Sequence, residues 1–316
     1  MNDALNHDRQ SVPILRLGTR ESPLAMAQAF ETRKRLCEAH GWDEAQIELM
    51  PVRASGDKIQ DRPLAEIGGK ALWTKELDQW LAEGHIDAAV HSMKDVETQR
   101  PDAFQIGAIL PRADRRDVLI GAGSIALIPQ GATVGTSAPR RAAQLLSLRP
   151  DCRIVGLRGN VATRLAKLQA GEADVTFLAA AGLERLEKSG VGTALDGKDW
   201  VPAAAQGAIG IECRTDDRQT ADWLAKIDHK PSRAEVEADR SFLAALGGTC
   251  HSPIAVDSHY VEGTISMRAV LFSPDGSENM ERNVQFDCLD TSTVRQLGQE
   301  MLDTAPPGIR AYFGQS

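Results

Sequence analysis

Three groups of residues in this chain have the types and spacing to do chemistry. The first is a single cysteine, Cys250, in GGTCHSP (247–253), a stretch of turn formers. A thiolate in such a loop can bond covalently to a ligand, and the plain alternative is a small buried hydrophobe. The second is HSMKD (91–95), which follows the apolar run IDAAV (86–90) and carries Lys94 and Asp95. Catalytic groups of α/β proteins gather at the carboxyl ends of buried strands. A carboxylate there can stabilise a cation developing on a substrate by ~4 kcal/mol at about 4 Å and an effective dielectric of about 20. The plain alternative is an acid and base paired on a surface turn. His91 reads as a hydrogen-bonded structural group.

The third group is a set of arginines at predicted helix starts. In LGTRESPLA, Ser22 is a suitable N-cap before Pro23, and Arg20 lies just ahead. In VGTSAPRRAAQ, Ser137 or Ala138 caps a helix with Pro139 at its first position and Arg140 and Arg141 in its first turn. In GLRGNVATRLAKL, Asn160 is the N-cap, Arg158 precedes it and Arg164 follows in or just beyond the first turn. A cation in a first turn opposes the positive end of the helix dipole, at about 0.3–1 kcal/mol each. Three repetitions point to an anion that offsets them, since helix N-termini and guanidinium forks together bind carboxylates and phosphates. Solvated surface arginines are the alternative at any one junction. Lys70 in IGGKALW extends the basic set, but there is no G-x-x-x-x-G-K-[ST] loop and so no sign of a nucleotide phosphate site. Many cations around one carboxylate suit a substrate with several carboxylates that turns positive at its reacting atom.

The elements that must position these residues follow from the pattern. From Ile14 to about residue 212, short β-like runs alternate with helical ones. ILRLGT (14–19) precedes a helix from about Pro23 to His40 stopped by Gly41, and IELMPVRA (47–54) precedes a Gly-rich loop. TKELDQWLAEG (74–84) is an amphipathic helix, and IDAAV a doubly buried strand. The same grammar restarts after Pro111, with DVLIGA, ATVGT, RIVGL and DVTFLAA as strands and PRRAAQLLSLR and VATRLAKLQAG as helices. This alternation predicts two α/β domains with parallel sheets covered by helices on both faces. VPAAAQGAIGIEC (201–213) reads as a return strand into the first domain. The expected boundaries are 13–110 with 205–226 for domain 1, 114–203 for domain 2, and 230–316 for a smaller C-terminal α+β domain whose first loop holds Cys250.

Composition sets the surroundings. A length of 316 residues accommodates two or three cores, and a net charge of −8 argues against a general nucleic-acid binder, which needs cationic surface facing phosphate. The polar start MNDALNHDRQSVP has no apolar signal region, and no apolar run approaches the ~18 residues of a membrane span. The five cysteines are widely spaced with no C-x-x-C pair, which predicts a cytoplasmic protein with neither disulfides nor a metal site.

LGTRESPLAMAQA, ASGD, IGGKALWTKEL, DAAVHSMKDV, VGTSAPRR, LRGNVATRL, AAAGLERL, PAAAQGAIGIECR and LGGTC occur in the order and spacing of the porphobilinogen deaminase (hydroxymethylbilane synthase) family, which the chain resembles from about residue 14 to beyond 255. The resemblance implies two periplasmic-binding-protein-like α/β domains plus the smaller third domain, and a monomer with no obligate protein partner. It implies a dipyrromethane cofactor held on Cys250 through a thioether, with Asp95 as the catalytic aspartate. By the same resemblance Lys94, Ser137, Arg140, Arg141, Arg158 and Arg164 hold the cofactor. Arg20, Ser22, Lys70, Arg158, Arg164 and Arg185 bind substrate through its acetate and propionate groups. Asp57 and Lys70 match a mobile lid across 55–70.

The implied reaction is loss of ammonia from porphobilinogen, stabilisation of the resulting azafulvenium cation by Asp95, and attack on it by the terminal pyrrole. Four rounds and a hydrolysis release hydroxymethylbilane. The chain departs from the family pattern at Ala138-Pro139, where Ser-Leu is common and a hydroxyl ligand is therefore missing, and at Glu66, Thr249 and His251. Two other readings fit the residues less well. A non-catalytic binding protein for small dicarboxylates would normally carry an export signal. A cysteine hydrolase pairing Cys250 with His251 would need adjacent residues to do what partners usually do across space.

Overall fold

The computed structural model describes residues 13–53, 74–249 and 251–313. Its first unit is a five-stranded sheet in the order β2-β1-β3-β10-β4, built from β1 (Leu15–Arg20), β2 (Ile47–Val52), β3 (Ala88–Ser92), β4 (Phe104–Ile109) and β10 (Ile209–Arg214). The second unit has the order β7-β6-β8-β5-β9, from β5 (Asp117–Ile120), β6 (Thr133–Gly135), β7 (Arg153–Val155), β8 (Val175–Ala179) and β9 (Thr193–Ala194). The third is a three-stranded antiparallel sheet of β11 (Ile254–Val261), β12 (Thr264–Phe272) and β13 (Asn279–Asp287). The expected class, two α/β domains and a smaller sheet domain, is what the chain adopts.

The expectation of parallel sheets needs correction, because both sheets are mixed. β1 runs parallel to β2 and β3, yet β10 is antiparallel to both β3 and β4. In the second sheet β6 is parallel to β7 and β8, and β5 is antiparallel to β8 and β9. The cause is strand exchange. After β4 the chain crosses to the second unit and inserts β5 as its antiparallel strand; after β9 it crosses back and inserts β10 as the first unit's. Alternation along the sequence cannot show that a strand comes from a crossing. β4 lies directly before the first crossing, and β13 alternates exposed polar residues with few apolar ones, a weak strand signal in sequence.

The two crossings lie side by side. Leu110 N donates to Ile209 O (3.0 Å) and Ala113 N to Gly207 O (3.3 Å). The approach is close enough that a Cβ on Gly207 would stand 2.6 Å from Ala113 O, and Gly207 has φ +86°. Only glycine fits both demands.

Helix boundaries follow capping chemistry. In α1 (Pro23–His40), Ser22 accepts from Ala25 N, Pro23 occupies the first turn, and Gly41 ends the helix in the left-handed region with its N–H on Cys37 O. Ala25, Gln28, Ala29, Thr32 and Leu36 recur on one buried face, the spacing of a helix lying on a sheet. α2 spans Lys75–Ala82, α3 Pro139–Leu148, α4 Val161–Gln169, α5 Ala180–Arg185 and α6 Arg218–Ala225. Each α/β core is aliphatic: Leu15, Leu17, Leu36, Ile47 and Ile211 in the first, and Leu119, Val134, Val175 and the stacked pair Phe177–Trp200 in the second.

The third unit adds α7 (Lys230–Ala245), α8 (Thr291–Thr304) and α9 (Pro307–Phe313). It is bolted to the crossings by charge. Arg112 reaches Asp239 (3.0 Å) and Glu235 (3.5 Å), and Arg115 reaches Glu235 (2.8 Å) and Asp257 (3.0 Å). Arg240 of α7 donates to the carbonyls of Val96, Glu97 and Thr98, directly after Asp95. Among the described residues no helix is long and apolar enough to cross a membrane, and no cluster of His, Cys, Asp and Glu could hold a metal ion.

Candidate active site

The strand ends bring together residues that are far apart in sequence. β1 runs into Arg20 and Ser22, and β3 into His91, Ser92 and the single 3-10 turn Met93–Asp95. In the second unit β6 leads to Ser137 and α3, β7 to Arg158 and α4, and β8 to α5 with Arg185 at its end. All lie at carboxyl ends of the parallel strands, where an α/β sheet opens a crevice. Arg20, Ser22, Gln28, Thr74, His91, Ser92 and Asp95 line a cleft in the first unit.

Asp95 faces cations from both units. Its charge acts on Lys94 beside it and on Arg164 of α4. Burial brings Lys94 down to about 8, with Asp95 opposing the shift and Arg141 adding to it. Burial likewise brings Arg164 down to about 10, with Arg141 and Arg158 adding to the fall and Asp95 opposing it. Burial and neighbouring cations disfavour both charges, and the Asp95 carboxylate works against that in each case. The surface ion pair considered for Lys94 and Asp95 is therefore too simple a description: the Lys94 ammonium donates across the unit boundary to Gln206 Oε1 at 3.4 Å.

The three helix starts differ in what answers the arginine charge. At α1, Ser22 caps as expected. At α4, Asn160 accepts from Thr163 N (2.9 Å), and Arg164 turns back to Gly159 O (2.9 Å). At α3 the cap position is Ala138, without a side-chain bond, and Ser137 stands just ahead of it. Arg140 and Arg141 are almost wholly buried, and the anion beside them is the chain's own Asp117. Arg140 Nη2 reaches Asp117 Oδ2 and Arg141 Nη2 reaches Oδ1, both at 2.7 Å. Trp200 Nε1 (2.7 Å) and Gln206 Nε2 (2.9 Å) complete four donors on one carboxylate. Burial would raise Asp117, but the two guanidiniums hold it far below the usual carboxylate range. Arg141 Nε is buried with no hydrogen-bond partner, so one donor of this pair is unspent. An unspent guanidinium N–H is a donor that an acceptor from outside the cluster could take up.

Arg185 bridges the units, its Nε 3.2 Å from Glu31 Oε2 on α1 and its Nη2 3.2 Å from Gly207 O in the return crossing. Cys250, Asp57, Glu66 and Lys70 lie outside the described residues. The flank of the cysteine loop is tied to the site: Thr98 Oγ1 donates to Gly248 O at 3.3 Å, three residues beyond Asp95.

Four residues here escaped the sequence reading. Gln28, whose Nε2 donates to Ser92 Oγ (2.7 Å), and Thr74, bonded to Glu97, are ordinary helix positions in sequence. Asp117 opens an apolar strand, and Gln206 lies in a small-residue run; the one available hint was a polar residue interrupting an apolar stretch.

Comparison with known proteins identifies the family. The family model described as "Porphobilinogen deaminase, dipyromethane cofactor binding domain" matches residues 15–222, and "Porphobilinogen deaminase, C-terminal domain" matches residues 233–305. A protein of Sphingopyxis alaskensis named porphobilinogen deaminase is 53% identical over 305 residues, covering 95% of this chain and 96% of that one. A protein of the same name from Nitrobacter winogradskyi is 48% identical over 268 residues, covering 84% and 85%. Among solved structures, the periplasmic VFT2 domain of Bordetella pertussis BvgS is 14% identical, with a TM-score of 0.41 over 68% of this chain and 86% of that one. By family models that span both its α/β units and its C-terminal domain, and by near-full-length identity of about half, the chain belongs to the porphobilinogen deaminase family.

Proposed function

We infer that the protein is a transferase that deaminates four porphobilinogen molecules and joins them head to tail on a covalently bound dipyrromethane primer, releasing hydroxymethylbilane and ammonia. The observation that carries this reading is Asp95 in the turn after β3, beside Lys94 and lining a cleft together with Arg20 and Ser22. A carboxylate surrounded by cations binds a polyanionic substrate and still stabilises one positive charge, the combination the condensation requires.

The roles follow from chemistry. Arg20, Ser22, Arg158, Arg164 and Arg185 take the substrate's carboxylates, and Lys94, Ser137, Arg140, Arg141, Arg158 and Arg164 those of the primer. Asp95 holds positive charge as the carbon–nitrogen bond of the aminomethyl group breaks and ammonia leaves. It then lies close to the proton released when the new carbon–carbon bond forms. The bound dipyrromethane supplies the free pyrrole α-carbon that makes this bond. Cys250 is its anchor, supported by the tie between Gly248 and Thr98 at the Asp95 segment. Lys70, in the segment between β2 and α2, completes the substrate set. The enzyme works in the cytoplasm as a monomer, with no nucleic-acid, membrane or obligate protein partner.

Mass spectrometry of the denatured protein, purified from cells that make porphobilinogen, tests this directly. The expected result is an adduct of two porphobilinogen-derived units on Cys250, absent from Cys250→Ala. Asp95→Ala should keep the adduct and the fold while losing about a thousandfold in turnover, the rate equivalent of ~4 kcal/mol of charge stabilisation. An unmodified parent chain, or near-normal turnover by Asp95→Ala, refutes the assignment concerned.

A further inference from the structure

We infer that Gln206 is a positioning residue for this reaction, joining Lys94 of the first unit to the Asp117–Arg140–Arg141 cluster of the second. The inference rests on the reading that Lys94 and the two arginines hold the primer. Gln206 is 1% exposed and sits in the return crossing, three residues before β10. Its amide is used at both ends. Nε2 donates to Arg115 O (2.7 Å) and Asp117 Oδ1 (2.9 Å), while Oε1 accepts from Lys94 Nζ (3.4 Å). Its own backbone carbonyl accepts from Arg112 Nε (2.9 Å), fixing the residue to the first crossing.

Only a carboxamide meets this demand. It must give two protons toward oxygens on one side and present an oxygen to an ammonium on the other. A carboxylate would face Asp117 with like charge, and a hydrocarbon would leave Asp117, Arg115 O and Lys94 short of partners. The guanidiniums on Asp117 are already fixed on a second side, Arg140 by Val201 O and Arg141 by Phe177 O, each at 2.9 Å. Gln206 therefore refers the Lys94 ammonium to a rigid anchor. Its bond to Lys94 is the longest of the set, so a relative rotation of the two units would give way there first. The positions of cations from different units, and with them the aim of the attacking pyrrole, pass through this amide.

The decisive variant is Gln206→Leu, with the more flexible Gln206→Met as a second should the first fold poorly. Each is purified as holoenzyme beside the parent. The expected result is retained adduct mass, a modest fall in melting temperature, and a kcat lowered by about tenfold or more, with KM for porphobilinogen within about threefold of the parent. Acylation of Lys94 by an amine-directed reagent, read by peptide mass spectrometry, should speed up severalfold. A merely structural glutamine would lower the melting temperature and leave kcat and Lys94 reactivity at parental values, and that result overturns the proposal. A parent without adduct or turnover would refute the functional reading instead. In that case the Lys94 acylation ratio between variant and parent still decides whether the coupling exists.

Discussion

Glu212 offers the sharpest quantitative test of how the floor of the site is held. It lies on β10 with no exposure, accepts from Arg100 Nε (2.7 Å) and Nη2 (2.9 Å), and stands 3.3 Å from His91 Nε2. Burial pushes its carboxyl up, but His91 and Arg100 together prevail and hold it at about 2, against an ordinary 4.5. That difference is worth ~3 kcal/mol. Because the folded value is depressed, this stability is fully present above 4.5 and is lost as pH falls through 4.5 toward 2. Between roughly pH 5 and pH 3 the parent should shed ~2 kcal/mol through this one residue. Glu212→Gln keeps the shape and cannot ionise, so its stability should fall by ~2 kcal/mol less than the parent's over the same interval. At neutral pH the variant should be less stable by up to ~3 kcal/mol, without collapse, because Arg100 keeps Asp78 (2.5 Å) and Glu97 (2.7 Å). Urea titrations followed by tryptophan fluorescence, with Trp42, Trp80 and Trp223 all reporting from the first unit, give the free energies. Parallel pH profiles for the two proteins would refute the reasoning.

Two further predictions concern the site and its hinge. In the cofactor-free Cys250→Ala chain, acylation of Lys94 should titrate near 8, because burial lowers it more than Asp95 raises it. The folded state then bears a penalty for charged Lys94 below pH 8 that is relieved as pH rises toward the ordinary 10.5. A midpoint at the ordinary lysine value would show that the ammonium is solvated. Gly207→Ala should lower stability by about 2 kcal/mol or more, through its positive φ and the contact with Ala113 O, and should reduce turnover as well. Parental stability and turnover in that variant would mean that the crossings tolerate separation.

How much of this was legible depended on whether a residue's role is local. Ser22, Pro23 and Gly41 act within a few residues of themselves, so the ends of α1 could be read directly. The position of Asp95 at a cleft could be read because it directly follows an apolar, buried strand. Asp117 and Gln206 could not: the side-chain partners of Asp117 lie 23, 24, 83 and 89 residues away, and those of Gln206 lie 89, 91 and 112 away. In DVLI and PAAAQGAIG each shows only as a polar residue interrupting an apolar or small-residue run. The arginine argument saw a local electrostatic conflict at α3 and looked to a bound anion to offset it, whereas the carboxylate beside both guanidiniums is the chain's own Asp117 on β5.

Strand exchange explains why such distant partners meet at the site. Since β5 and β10 each complete the other unit's sheet, the segments leading into them must pass between the units, next to the carboxyl ends of β3 and β8. The residues at those two passages, Asp117 at the start of β5 and Gln206 just before β10, are therefore placed by topology between the two banks of cations. A hinge made from loops beyond the sheets would let the units turn without disturbing the site. The exchanged strands place the link between Lys94 and the arginines of α3 in the crossings themselves, so any relative rotation of the units would have to act on that link.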